Sequence, residues 1–274
     1  MSNLSLAISP CPNDTFIFYH LLNVHDAGLQ FKPVFLDVSE LNQQAMHGQL
    51  HDVTKLSFFA MTQLQEQYTL LDAGGALGHN CGPLLLSRTD ADPLEAFGRA
   101  KRIAIPGKYT TAHLLLRLYL DALHIDARRI EFTEKRYDLI MPALKSGEFD
   151  LGLIIHEERF TYRQQGLHAL LDLGEWWENA TGHPIPLGCI AARKQFDSSL
   201  LETITKRIRA SITFAKEHPD EALPFIRQYS QSLETDVVQA HIALYVNDYS
   251  LGYGVGGHAA INELFERARH IRLG

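Results

Sequence analysis

The sequence predicts an α/β protein built from two similar strand–loop–helix units and closed by a helical C-terminal tail. Three observations carry that expectation. Apart from Asp150, the run from Phe149 to Ile155 is apolar without helical gaps and stops at His156, as a strand buried on both faces would. The order of elements from Leu4 to Ser57 restarts at Lys101 and ends at His156. From Ser198 onward apolar residues such as Leu201, Ile204, Ile208 and Ile212 recur at spacings of three and four, the stripe of helices covering a core.

Taken in order, Leu4 to Ile8 reads as a short strand that the two prolines of Ser9-Pro10-Cys11-Pro12 interrupt. Asn13, Asp14 and Thr15 are helix-starting residue types, and Phe16 to Leu22 continues as a buried helix. Leu29 to Leu36 alternates like a strand, Ser39 is expected to cap a helix through His47, and Gly48 stops it. Asp52 to Ser57 returns as a strand, and Phe58 to Tyr68 reads as helix. The turn-rich Gly74 to Pro83 then leads to the strand Leu84 to Ser87.

The second unit opens with strand Arg102 to Ile105, loop Pro106 to Tyr109, and a helix that starts at Thr110-Thr111-Ala112-His113 and runs to about Leu123. Strand Arg129 to Thr133, helix Asp138 to Ser146 with Gly147 as its stop, and strand Phe149 to Ile155 complete it. Gly48 through Ser57 aligns with Gly147 through His156 in kind, and Ser9 through Thr15 with Pro106 through Thr111. Two facing units of this sort bring equivalent strand ends to one cleft, with Ser57 on one wall and His156 on the other. His156 is then a candidate acid or base, although a strand-end histidine can equally serve only to hydrogen-bond a loop.

The chain is expected to cross between lobes at Ala91 to Ala100 and at Pro184 to Arg193. That gives a discontinuous first lobe of residues 1–90 plus 194–274 and a second lobe of 91–193. The helical stretches 200–218, 219–229, 234–246 and 257–270 form the tail, and the aromatic stretch Tyr245 to Gly254 either borders the cleft or is a plain loop.

A length of 274 residues with 46% apolar and 21% charged residues suits a globular protein of one large or two medium domains. The net charge of -7 without any basic block argues against nucleic acid or an anionic membrane as partner. Cys11, Cys81 and Cys189 are far apart and odd in number, which suggests neither disulfides nor a zinc site. With no leader pattern and no apolar run of membrane length, a cytoplasmic location is expected.

No phosphate-binding glycine loop is present, since Gly252 to Gly257 has the wrong spacing, and there is no nucleophile elbow. No metal spacing appears either. Glu157 and Glu158 beside His156 suit a cation or simply the start of the next helix.

Several blocks are distinctive together: Ser9-Pro10-Cys11-Pro12-Asn13-Asp14-Thr15-Phe16, Thr54-Lys55-Leu56-Ser57, Gly74 to Gly78, Pro106-Gly107 with Thr110-Thr111-Ala112, Gly152 to Glu157 with Arg159 to Tyr162, and Asp172-Leu173-Gly174 with Trp176-Trp177-Glu178. In this order, over residues 9–190, the chain resembles the 1,4-dihydroxy-6-naphthoate synthases of the futalosine route to menaquinone. The resemblance implies a two-lobed, periplasmic-binding-protein-like (type II) fold with a cleft between the lobes, used as a carbon–carbon lyase. It implies cyclic dehypoxanthinyl futalosine, a small-molecule carboxylate, as substrate, with no cofactor and no metal. By matching position, His156 is implied as general base, and Lys55, Leu56, Ser57, Thr110 and Thr111 as substrate-binding.

Asn13, Asp14 and Thr15 are expected to shape the cleft wall, Cys11 to be a small buried apolar residue, Trp176 and Trp177 to pack the core or the lobes, and His79 and Asn80 to be minor candidates. Two competing readings share the fold, a non-catalytic solute-binding protein and the chorismate dehydratase of the same pathway.

Overall fold

The computed structural model describes residues 2–23, 28–230 and 234–271; residues 1, 24–27, 231–233 and 272–274 of the expected first lobe lie outside them. The chain opens with β1 (Ser2–Ile8), α1 (Pro12–Asn23), β2 (Leu29–Phe35), α2 (Val38–Met46), β3 (Val53–Ser57) and α3 (Phe58–Gln63). Two short strands, β4 (Tyr68–Leu70) and β5 (Ala76–Gly78), lead to β6 (Leu84–Ser87) and α4 (Pro93–Arg99). The second unit is β7 (Arg102–Ile105), α5 (Thr111–Ala122), β8 (Glu131–Glu134), α6 (Ile140–Ser146) and β9 (Leu151–Ile154). Then come α7 (Glu158–Thr161), β10 (His168–Asp172), α8 (Leu173–Thr181) and β11 (Ile185–Arg193). The tail is α9 (Ser198–Glu217), α10 (Pro219–Tyr229), α11 (Thr235–Tyr245), α12 (Asp248–Leu251) and α13 (Gly254–Ala268).

The strands form two sheets, ordered β2-β1-β3-β11-β4, with β5 also on β11, and β8-β7-β9-β6-β10. Each sheet has three parallel strands, β2-β1-β3 or β8-β7-β9, followed by an antiparallel fourth strand. The repeated order of elements therefore gives a repeated topology. β3 and β9 hold equivalent places, so Ser57 at the end of one and His156 just past the end of the other are topological counterparts. Strands fully buried along their length, such as β3 and β9, explain the absence of alternation in the sequence.

The fourth strands correct the expected lobe boundaries. β6 lies in the second sheet although residue 90 was the expected end of the first lobe, and β11 lies in the first sheet although residue 193 was the expected end of the second. The chain crosses between β5 and β6 and returns between β10 and β11. Both strands are largely buried, and such apolar runs fit either sheet equally well, so local sequence does not say which neighbour they take.

Local details follow from side-chain chemistry. Asp37, rather than Ser39, caps α2: its carboxylate accepts from the Ser39 N–H at 2.8 Å while Glu40 accepts from the Asp37 N–H at 3.0 Å. Thr110 caps α5 by accepting from the His113 N–H at 3.3 Å. Gly147 ends α6 at a φ of 81°, a conformation a side chain disfavours. Phe58 to Gln63 is helical, but the helix stops there and a turn closed by Leu64 O leads to Tyr68, which begins β4.

The tail packs beside the first sheet. α9, α10 and α11 lie against α1, and α13 lies against α3 and β11. One apolar cluster runs from Leu56 and Phe58 through Leu114, Leu115 and Leu153 to Ile261 and Leu264, so the two sheets share a continuous core. A second surrounds β1, α1 and α9, and a third lies between β9 and α6.

Candidate active site

The strand ends meet around a cavity of about 620 Å³, its open mouth included. Its wall on the first-sheet side carries Ser9, Asn13, Asp14, Lys55 and Ser57, and its facing wall Thr110, Thr111, Ile155 and His156.

Strand alternation sorts the expected residues of β3. Lys55 and Ser57 face the cavity, while Leu56 points to the other side, fully buried in the core. Leu56 thus offers no side-chain contact to a ligand. Thr15 does not line the cavity either: its hydroxyl donates within the first turn of α1, to the carbonyls of Cys11 and Pro12.

Lys55 and Asp14 make a buried ion pair of 2.6 Å. Asp14 is held on all sides, accepting also from the Ser9 hydroxyl at 2.7 Å, the Ser9 N–H at 3.2 Å and the Asn13 amide at 2.9 Å. Such saturation offsets the cost of burying two charges. The ammonium of Lys55 is therefore neutralised from within the protein.

Ser57 is gripped by a residue that sequence reasoning passed over. Asn42, fully buried on α2, donates to the Ser57 hydroxyl and accepts from the Ser57 N–H, both at 2.9 Å. Opposite, the Thr110 hydroxyl donates to Gly107 O at 2.7 Å and the Thr111 hydroxyl to Leu187 O at 2.8 Å. Each hydroxyl also accepts a backbone N–H, Thr110 from His113 and Thr111 from Phe59, both at 3.3 Å, so neither has a free proton to offer a ligand. The first N–H groups of α5, behind them, have no intrahelical partner.

His156 stands two residues beyond β9 at a φ of 59°, in the left-handed region that a histidine seldom occupies. Holding it there costs about 1–3 kcal/mol, which the surrounding packing must supply. Tyr137 meets the ring edge-on at 4.9 Å, and His241 lies parallel to it at 6.1 Å between centroids. Burial pushes the imidazole down to about 4; the Asp14 carboxylate opposes that shift and the Lys55 ammonium adds to it. Its Nε2 is buried with no partner among the described residues. The imidazole is thus neutral at pH 7, a base rather than an acid.

The remaining candidates divide. Cys11 is buried off the cavity, and Cys81 contributes to its lining. His79 and the Asn80 N–H both bind Glu178 on an exposed surface away from it. Trp177 is wholly buried and donates to Pro184 O at 3.1 Å, while Trp176 packs edge-on against Tyr119. Glu158 opens α7, and among the described residues no group of three or more His, Cys, Asp or Glu side chains could hold a metal ion. From the stretch Tyr245 to Gly254 only Tyr245 reaches the cavity; the rest forms α12 and its flanks. His241, fully buried on α11, was also missed, and its signal was a lone histidine four residues before Tyr245 in an apolar helix.

Comparison with known proteins bears on this arrangement. A family model described as menaquinone biosynthesis matches residues 4–270. The chain belongs to that menaquinone-biosynthesis family. A relative from Thermus thermophilus is 43% identical over 269 residues, covering 98% of this chain and 94% of its own length. One from Streptomyces coelicolor is 40% identical and covers 97% of this chain and 92% of its own. Both are named 1,4-dihydroxy-6-naphthoate synthase, so the family member described here is an enzyme of menaquinone biosynthesis.

A crystal structure of a protein from Archaeoglobus fulgidus, 34% identical, superimposes with a TM-score of 0.87 over 97% of both chains. The alkanesulfonate-binding protein of Xanthomonas axonopodis, bound to MOPS, reaches 0.70 at 14% identity, covering 100% of this chain and 95% of its own. That likeness establishes the two-lobed, periplasmic-binding-protein-like fold and nothing about ligand. No helix among the described residues is long and apolar enough to cross a membrane.

Proposed function

We propose that this family member splits cyclic dehypoxanthinyl futalosine to 1,4-dihydroxy-6-naphthoate and a small carbohydrate-derived fragment, in the cytoplasm, with His156 as general base. The observation that carries the reading is a neutral, deeply set imidazole facing a walled cavity. Taking a proton from an acidified carbon, with aromatisation driving release, asks for such a base and for exclusion of water. Positioned general bases contribute about a hundredfold to ten-thousandfold.

The substrate carboxylate is best matched by the first backbone N–H groups of α5, at Thr111 and Ala112. Both residues line the cavity, and the helix start favours negative charge. Lys55 is a weaker match because Asp14 already neutralises it, and the threonine hydroxyls have spent their protons on carbonyls. Ser57, fixed by Asn42, is placed to meet a polar group from the other wall. No nucleic acid or membrane enters this reading.

The test is turnover of purified protein on cyclic dehypoxanthinyl futalosine, followed by the naphthoate chromophore. His156→Asn should bind substrate yet lose at least about a hundredfold in kcat. In the wild type the acid limb of kcat/KM should fall near pH 4 rather than 6.5, because the free imidazole stays neutral down to that pH. Near wild-type turnover by His156→Asn would remove its assigned role. Tight binding without any turnover by the wild type would favour the solute-binding alternative.

A further inference from the structure

Behind His156, four buried polar atoms lack partners among the described residues: His156 Nε2, Glu157 Oε2, Glu158 Oε2 and His241 Nδ1. Two of them face each other, with His241 Nδ1 3.6 Å from Glu157 Oε2. That gap is a few tenths of an ångström longer than a hydrogen bond and too narrow for a bridging water, and it sets two acceptor atoms against each other in a dry interior unless one of them carries a proton that draws them together.

The tautomer of His241 follows from its other side. Asn13 donates its amide N–H to Asp14, so Asn13 Oδ1, at 2.9 Å from His241 Nε2, is an acceptor. His241 therefore donates from Nε2 and leaves Nδ1 bare. At Glu157, the Tyr137 hydroxyl donates to Oε1 at 3.5 Å, which leaves Oε2 to carry any proton.

We propose that Glu157 is a protonated positioning residue that donates from Oε2 to His241, completing a polar strut from the turn bearing the base to Lys55. The strut runs Glu157, His241, Asn13, Asp14, Lys55. It starts beside His156 beyond the second sheet, passes through tail helix α11, and ends on β3 of the first. It holds the two walls of the cavity in register. The groups around Glu157 agree with a held proton. Tyr137 and Asp138 face it from the turn before α6, His241 and Tyr245 from α11, Cys11 from the loop before α1, and Glu158 stands beside it. None of these is a cation, and burial raises the Glu157 carboxyl from its ordinary value, with Asp138 adding to the shift and the hydrogen bonds from the Glu157 N–H and the Tyr137 hydroxyl opposing it. An imidazolium at His241 is opposed by burial first, then by His156 and Lys55.

The kinetic part of this inference rests on the catalytic reading of the cavity, and the spectroscopic part does not. In protein labelled with ¹⁵N-histidine at pH 7, His241 should show a protonated Nε2 and a bare, hydrogen-bonded Nδ1. Two protonated nitrogens, or a proton on Nδ1, would overturn the strut whether or not the protein turns over substrate. In the turnover assay Glu157→Leu should raise KM or lower kcat about tenfold or more, the usual scale for a buried donor lost. Glu157→Gln, whose amide donates as the acid does, should restore most of that loss. Equal damage from both variants would mean that Glu157 acts as a carboxylate and would sink the proposal. Absence of wild-type turnover would count against the assigned reaction alone, because the ¹⁵N result still decides the strut.

Discussion

At the scale of single residues, the site is governed by burial acting on titratable groups. Glu158 shows it without any role in chemistry. It is buried at the start of α7, and burial, with Glu157 and Asp138 nearby, pushes its carboxyl up to about 9. Its folded value thus lies above the ordinary unfolded one. Between pH 4.5 and 9 the folded protein keeps this proton and the unfolded chain releases it, so stability falls as pH rises. The slope is about 1.4 kcal/mol per pH unit while both conditions hold.

His113, His156 and His241 are shifted the other way; their unfolded imidazoles still titrate around pH 6.5, a contribution that wild type and a Glu158 variant share and that fades as pH rises further. Denaturant unfolding at several pH values from 6.5 to 8.5 should therefore show a shallower decline for Glu158→Gln than for wild type. Parallel declines would mean that Glu158 is already ionised. His156 could be picked out from the sequence because an apolar strand stopped at it. Glu158 read only as a charge, since its burial depends on packing between elements far apart in the chain.

At the scale of elements, the end of β3 depends on α2. Asn42 meets both the N–H and the hydroxyl of Ser57, and its amide also reaches Tyr109 O at 3.5 Å. Asn42→Ala leaves the buried Ser57 N–H without its acceptor, which costs about 1–3 kcal/mol. Guanidinium unfolding should show that loss, and KM should rise as Ser57 is freed. Unchanged stability and KM would show that Ser57 is held by its strand alone.

The helix itself was legible in its start near Ser39 and its stop at Gly48, and β3 in its match to the strand that ends before His156. Asn42 was not, because one amide on a mixed helix face looks solvated until the facing strand is known. The same holds for β6 and β11. Each is an apolar run that either sheet could accept, and only the pairing of Gly188 with Ser57 and of Leu85 with Leu153 assigns them. The strand–helix alternation, being local, could be read directly; the partner of a strand with no polar face could not.

At the scale of the whole molecule, the two sheets are drawn together around the cavity. Gln43 on α2 donates to Glu134 of β8 at 3.0 Å, and Thr111 of α5 donates to Leu187 of β11 at 2.8 Å. Gly107, in the loop before α5, comes so close to α2 that an added Cβ would run into the hydroxyl and Cβ of Ser39. Its φ lies outside the left-handed region, so an alanine is acceptable to the backbone and objectionable only to the facing helix. Gly107→Ala should consequently leave each half folded while penalising the approach of the two halves. Overpacking of this kind costs about 1–3 kcal/mol, enough to raise KM about tenfold. Small-angle scattering with saturating substrate should report a larger radius of gyration than wild type. Because Asp37 and not Ser39 caps α2, Ser39→Gly removes the obstacle without removing the cap. The double variant Gly107→Ala, Ser39→Gly should then recover most of the lost affinity. If Gly107→Ala alone binds and scatters as wild type does, the contact between the loop and α2 plays no part in closing the cavity.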